Sequence, residues 1–391
     1  MLKLWTQRAK LPIRSTHLDA KNFTLNVLAA AVFNELYLFE GQEAEDSVIY
    51  KNDKSYQYRE SLSTILSSII QIFVFGEQGS KAWWTSRSFK NAAKAMYGFR
   101  SYIFSLMDEE KAKFASGEAE NENLVARLVK ACEEEEELET DTLISDKTSA
   151  TNARKMTLTK EETLSNFFVY VFVGNDTTAI ALTNLLTHLT ANPDTQDWIV
   201  DEINDYLPPD ASSKTWDYDT YFKIKRCRAV FFETLRICHP LSQFLKITGA
   251  HEQILEIDGQ TYFLPPHTTI HCSIPALHAH PKYWTSNPLV WSPSHFISVP
   301  STDITARKHS TKTFDEEKVE ADTSAHFMPF AWGQRVFPRR KFAQVELVAV
   351  LAALFKEWKV EVVPKEGETA EQAKNRDWKS SLVVGHETYV A

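Results

Sequence analysis

Three stretches of this sequence set reactive side chains at a spacing that matters. Asp176-Thr177-Thr178 begins two residues after Gly174 and places a carboxyl beside two hydroxyls. A carboxyl there could serve as an acid or a base. The same triplet can equally be the polar face of a helix. Glu233 and Arg236 lie three apart, so on a helix they share one face and can pair. Left exposed, such a pair contributes only about 0–1 kcal/mol. The third stretch, Phe330-Ala331-Trp332-Gly333-Gln334-Arg335-Val336-Phe337-Pro338-Arg339, is a glycine-bearing loop that carries an arginine and ends near a proline. His278 and His280 invite a metal, but no third ligand follows at useful spacing.

The elements that must hold these groups are legible from periodicity and capping. Thr159 and Glu162 form a capping-box pattern ahead of a helix running to about Ala191, with Pro193 just beyond. Gly174 falls inside that helix. Its cost of about 1 kcal/mol against alanine implies a close approach there. After Pro338, apolar residues at 342, 345, 348, 351, 352 and 355 predict a helix over Lys341–Trp358. Asp19 reads as the N-cap of a helix to about Asn34, and Ser86–Ala112 as another helix. Leu62, Ile65, Leu66, Ile69, Ile70 and Phe73 mark a buried-face helix. Asp258-Gly259 between two β-rich runs predicts a hairpin with a type I′ turn. Ile270–Ile274, Val360–Val363 and Leu382–Val384 read as further strands. Residues 114–160 read as a polar, acidic linker region; its run Glu133–Glu137 reads as solvated surface.

In this order and with these flanks, the three stretches resemble the cytochrome P450 family of haem-thiolate monooxygenases. Val173-Gly174-Asn175-Asp176-Thr177-Thr178 is similar to the family's oxygen-activation motif, and Phe232-Glu233-Thr234-Leu235-Arg236 to its Glu-x-x-Arg motif. The loop from Phe330 is similar to Phe-x-x-Gly-x-Arg-x-Cys-x-Gly, with Phe330, Gly333 and Arg335 matching. The resemblance implies a mainly α fold with small β-sheets. It implies haem as cofactor, contacted by Gly174, Phe330, Gly333 and Arg335, with Asp176 and Thr177 as the acid–alcohol pair that delivers protons. Glu233 and Arg236 would clamp the segment leading to the loop. His295 stands where a third member, an arginine, is usual, and an imidazole lacks the planar five-donor fork. A weaker clamp and a less satisfied Glu233 are therefore expected. Its partners would be a lipophilic small-molecule substrate and an NADPH–cytochrome P450 reductase, and its setting the cytosol or the cytosolic side of the endoplasmic reticulum. The match style is that of fungal, microsomal members, often enzymes of secondary metabolism.

The sequence departs from the pattern at the loop. Phe337 occupies the iron-ligand position and Arg339 that of the second glycine. A phenyl ring has no lone pair to offer iron, whereas a thiolate favours O–O cleavage by pushing electron density onto it. His326 and Met328 precede the loop and could in principle ligate iron, or be ordinary loop residues. The stretch Leu18–Phe39 is similar to the family's fifth helix, so the whole chain is expected to be one truncated domain. It would hold the later part of the fold, without the early helices and N-terminal strands, its central helix at 159–191 and its haem-loop region at 326–358. These departures point to an impaired or inactive monooxygenase; a non-catalytic binder of apolar ligands, a scaffold or a pseudogene product is the alternative. A net charge of −9 without a basic block argues against a nucleic-acid partner. The 43 % hydrophobic share is enough for a sizeable core, yet no run is long enough to span a bilayer, so no membrane anchor is expected. Cys132, Cys227, Cys238 and Cys272 show no paired spacing, which suits a reducing environment.

Overall fold

The computed structural model describes residues 5, 13, 16–33, 64, 86–116, 124–130, 159–207, 216–284, 287–299, 313–320, 326–333 and 336–381. The expected helix at 62–73, the acidic run Glu133–Glu137 and the strand Leu382–Val384 lie outside them. The chain divides into two compact units, Lys21–Asp176 and the remainder, Met1–Ala20 with Thr177–Ala391.

The unit Lys21–Asp176 is helical throughout its described part. It holds most of α1 (Thr16–Phe33), all of α2 (Arg87–Ser116), a helical stretch at 124–130 and the first half of α3 (Lys160–Ala191). Ala92, Ala95, Phe99, Ile103 and Met107 recur every three or four residues on α2 and are buried with Leu25, Val129 and Phe167. Two boundaries differ from the sequence reading. Helix α1 begins three residues before Asp19, whose carboxylate accepts from the Trp5 indole N–H at 2.8 Å and so is not the N-cap. Helix α2 continues past Ala112 to Ser116, helped by a Glu110–Lys113 ion pair of 2.7 Å within its last turns. At the start of α3 the capping box forms. The Thr159 N–H donates to Glu162 Oε2 at 2.9 Å, and the Glu162 N–H to Thr159 Oγ1 at 3.2 Å. These bonds hold the Glu162 carboxyl below its usual range.

The other unit is built around α6 (Lys225–Ile237), a helix buried on nearly every face. Its neighbours in sequence are α4 (Pro193–Tyr206) and the short α5 (Thr220–Lys223). The first backbone N–H groups of α6 have no local cap. Glu202, from α4, accepts from the Lys225 and Arg226 amides at 2.8 Å each. Burial pushes Glu202 up to about 7 against those bonds. Beyond α6, β1 (Gln243–Ile247) pairs antiparallel with β4 (Thr269–Ser273), enclosing the hairpin β2 (Gln253–Ile257) and β3 (Gln260–Leu264). Asp258 and Gly259 have φ of 49° and 77°, as the type I′ turn requires. Helix α7 (Ile274–His278), a 3₁₀ turn (Pro293–Phe296) and the two-residue strands β5 (Ile297–Ser298) and β6 (Lys318–Val319) follow, with α8 (Thr313–Glu316) between those strands. Then come α9 (Arg340–Phe355) and α10 (Ala370–Ser381).

Residues Val360–Val363 are not a strand. The Val360 N–H and C=O bond the Gln196 side-chain amide at 3.2 and 2.8 Å, so a glutamine replaces a partner strand. Helix α10 was not read from the sequence, although Thr369 and Gln372 cap it in the manner of Thr159 and Glu162. Helix α9 starts one residue early and stops at Phe355, short of Trp358. Among the described residues, no helix is long and apolar enough to cross a membrane.

Candidate functional site

On α3, Gly174 and Asn175 are buried and α1 closes over the turn. The Thr24 hydroxyl lies 2.9 Å from Asn175 Oδ1 and 3.3 Å from the Asn175 carbonyl. Lys21 Nζ stands 2.7 Å from Asp176 Oδ1, with both side chains about one-third exposed. The acid of the motif is thus ion-paired to a lysine one turn from Thr24. Sequence reasoning missed Lys21, whose only signal is its place on the same helix face as Thr24.

On α6, Glu233 and Arg236 are fully buried as side chains and face one another. Arg236 donates from Nε and Nη2 to the two Glu233 oxygens at 2.8 and 2.7 Å. Its Nη2 also reaches the Val290 carbonyl at 2.9 Å, and its Nη1 the carbonyls of His278 and Pro288 at 3.1 and 2.5 Å. All five guanidinium N–H groups are therefore used, and the Trp284 ring covers the guanidinium at 4.6 Å. The expectation of a poorly satisfied Glu233 is corrected here. Its Oε1 also accepts from the Ser292 amide at 2.7 Å and sits 3.2 Å from His295 Nδ1. A backbone N–H supplies the donor that an arginine at 295 would add. Replacing His295 by Arg is accordingly expected to change the unfolding free energy by less than about 1 kcal/mol in a urea titration. A gain of several kcal/mol would show that Glu233 lacks a donor.

The loop that joins this centre to α9 folds on itself through its backbone. The Ala331 N–H donates to the Met328 carbonyl, Val336 to Gly333, and Phe337 to Phe330, at 3.3, 3.0 and 3.0 Å. The turn needs left-handed backbone at Ala331 (φ 63°) and Gly333 (φ 90°); glycine adopts this freely, and alanine with strain. Gln334 and Arg335 lie outside the described residues. Phe337 is half-buried, and its ring lies parallel to Phe330 with centroids 6.3 Å apart and 7° between planes. Phe330 in turn stacks on Phe231 of α6 at 6.3 Å. Arg339 has φ −90° and ψ 9°, a conformation that does not need glycine, and its guanidinium covers Phe342 at 4.7 Å.

Two imidazoles fasten the start of the loop. The Met328 N–H donates to His278 Nε2 at 3.0 Å, and His239 Nε2 lies 2.9 Å from the Pro329 carbonyl. Burial holds both rings neutral, His278 down to about 3. His326 stacks face to face on Tyr283 with centroids 4.9 Å apart. Among the described residues, no cluster of His, Cys, Asp or Glu could hold a metal ion.

Glu346, on α9, was not singled out by its sequence. It is buried, and neither carboxyl oxygen has a hydrogen-bond partner among the described residues. Burial pushes it up to about 8, against a smaller opposing pull from Arg339. The folded state therefore holds this proton more tightly than the unfolded chain. Its contribution to stability is complete below about pH 4.5 and is lost as pH rises to about 8. The loss is at most about 5 kcal/mol. Replacing Glu346 by Met is expected to flatten the fall in melting temperature across that window. Part of the fall remains, because Glu202 titrates there with the same sign. An unchanged profile would mean that Glu346 is solvated.

A family model described as cytochrome P450 matches residues 1–387. The phomenoic acid biosynthesis cluster cytochrome P450 monooxygenase of Leptosphaeria maculans is 25 % identical over 334 residues, covering 81 % of this chain and 53 % of that protein. Cytochrome P450 monooxygenase ORF6 of Penicillium roqueforti is 24 % identical over 373 residues, 92 % of this chain and 60 % of that protein. The chain spans roughly half the length of the curated relatives it matches. Among solved structures, a cytochrome P450 (CYP102L1) superposes with a TM-score of 0.62 at 18 % identity, covering 94 % of this chain and 70 % of that one. The heme domain of cytochrome P450DA gives 0.60 at 16 %, covering 92 % and 66 %. At these identities the structural likeness concerns the fold.

Proposed function

We propose, since this chain belongs to the cytochrome P450 family, that it descends from haem-dependent monooxygenases of lipophilic small molecules and does not itself activate oxygen in their way. Position 337 carries the argument. A haem held through a protein thiolate does not fit the residues present. The side chain there is a ring stacked on Phe330, with no atom able to donate to iron. The nearby imidazoles do not substitute, because His239 and His278 each use Nε2 on the loop backbone. The ancestral electron donor is an NADPH–cytochrome P450 reductase. The ancestral setting is fungal secondary metabolism, in keeping with the biosynthetic cluster named for the Leptosphaeria relative.

The remaining family positions keep their ancestral assignments in this reading. By resemblance, Gly174, Phe330, Gly333 and Arg335 are assigned to cofactor contact, Asp176 and Thr177 to proton delivery, and Glu233 and Arg236 to support of the loop. The test is a spectrum. The purified chain, supplied with haem, reduced and exposed to carbon monoxide, is expected to lack the red-shifted carbonyl band of a thiolate-ligated ferrous haem. A band of full intensity would overturn the proposal.

A further inference from the structure

We infer that His278 and His239 are positioning residues that carry the order of the Glu233–Arg236 centre into the loop bearing Phe337. The connection is continuous in hydrogen bonds. Arg236 Nη1 donates to the His278 carbonyl at 3.1 Å, and the ring of the same residue accepts the Met328 N–H at 3.0 Å. One residue thus touches the arginine with its backbone and the loop with its side chain. His239 adds a second anchor one residue further along. Its Nδ1 lies 2.8 Å from the Leu241 carbonyl and 3.0 Å from the Leu241 amide, and its Nε2 lies 2.9 Å from the Pro329 carbonyl. The two rings meet edge to face with centroids 5.7 Å apart.

An imidazole that merely filled the core would leave these polar atoms without a purpose, and a phenyl ring would pack as well. Here one ring accepts the Met328 N–H and the other sits 2.9 Å from the carbonyl of the next residue. That pair of contacts holds the two peptide units flanking the Met328–Pro329 bond, Phe327–Met328 and Pro329–Phe330. It therefore sets the direction in which the chain enters Phe330 and the strained turn at Ala331 and Gly333. Beyond these anchors Lys246 of β1 reaches the Trp332 carbonyl at 3.5 Å, and the backbone bonds of the turn, among the described residues, run within the loop and to the first residue of α9.

The inference rests on the reading above that 328–337 is the functional loop, but its test needs no haem, so the two can fail separately. Amide hydrogen exchange of the full chain is measured at Met328, Ala331, Val336 and Phe337, with Phe232 and Leu235 of α6 as reference. His278→Phe removes the acceptor and keeps a ring; it is expected to speed exchange at the loop amides by about tenfold and leave the α6 amides within about twofold. His278→Gln, which restores an acceptor, is expected to return the loop to within about threefold of the parent. Should His278→Phe fail to fold, His239→Phe is read against the same amides, with the largest change at Ala331. Unchanged loop exchange in the variants would overturn the inference. So would exchange that rises equally in the loop and in α6, since that is the mark of general destabilisation.

Discussion

Replacing Phe337 by Cys is expected to turn a chain without the red-shifted carbonyl band into one that shows it. The effect is close to all-or-none, because the parent has no donor atom at that position and the variant has one. The backbone there does not depend on the phenyl ring. The Phe337 N–H is bound to the Phe330 carbonyl at 3.0 Å, and the Phe337 carbonyl accepts from the Arg340 amide at 3.2 Å. The residue also lies just ahead of the N-terminus of α9, whose dipole favours the thiolate. Arg339, in place of the family's second glycine, has a backbone conformation open to any residue, so it sets no conformational bar. Losing the parallel ring contact with Phe330 costs about 0.5–1.5 kcal/mol, small against the new iron–sulfur bond. The check is the carbonyl difference spectrum of parent and variant prepared side by side. If the variant binds haem yet shows no shifted band, the loop does not present residue 337 to iron, and the assignment of this position is wrong.

The second large effect is expected at Arg236. Lysine in its place keeps the charge but offers three donors where five N–H groups are used. Two of the five acceptors, which are the carbonyls of His278, Pro288 and Val290 and the two oxygens of Glu233, would lose the donor that arginine gives them in the interior. Breaking a buried, hydrogen-bonded pair from one side costs about 3–5 kcal/mol. Arg236→Lys is therefore expected to lower the urea midpoint sharply or to prevent folding, and Glu233→Ala to do the same. A loss below about 1 kcal/mol would mean that water reaches this centre and replaces the missing donors. The contrast with His295 is instructive. The exchange His295→Arg is predicted to matter little, although both residues touch one carboxylate. Arg236 is a hub for three carbonyls from two stretches of backbone, while His295 adds one long contact to an oxygen already served by Arg236 and by the Ser292 amide.

Features whose cause lies within a few residues were legible from the sequence. The Thr159–Glu162 capping box, the Asp258-Gly259 turn and the Glu233–Arg236 pair depend on side chains that meet because the chain between them is short. The family motifs were legible for the same reason, as was the absence of a sulfur at 337. Several features that were misread or went unread depend on a partner far along the chain. Asp19 is drawn to Trp5 and not to the start of its own helix. Val360 meets Gln196, and its segment does not become a strand. The first amides of α6 are capped by Glu202 from another helix.

What the sequence determined, then, is the family, the order of its motifs and the chemistry that residue 337 cannot perform. Only the tertiary structure decided which charges are buried and what answers them. It buried Glu346 without a hydrogen-bond partner among the described residues, surrounded Arg236 with five acceptors, and set His278 and His239 against the loop. Helix caps, turns and residue types are properties of a short stretch of chain. Desolvation, and the donors that offset it, arise only when distant segments close around a group and exclude water from it.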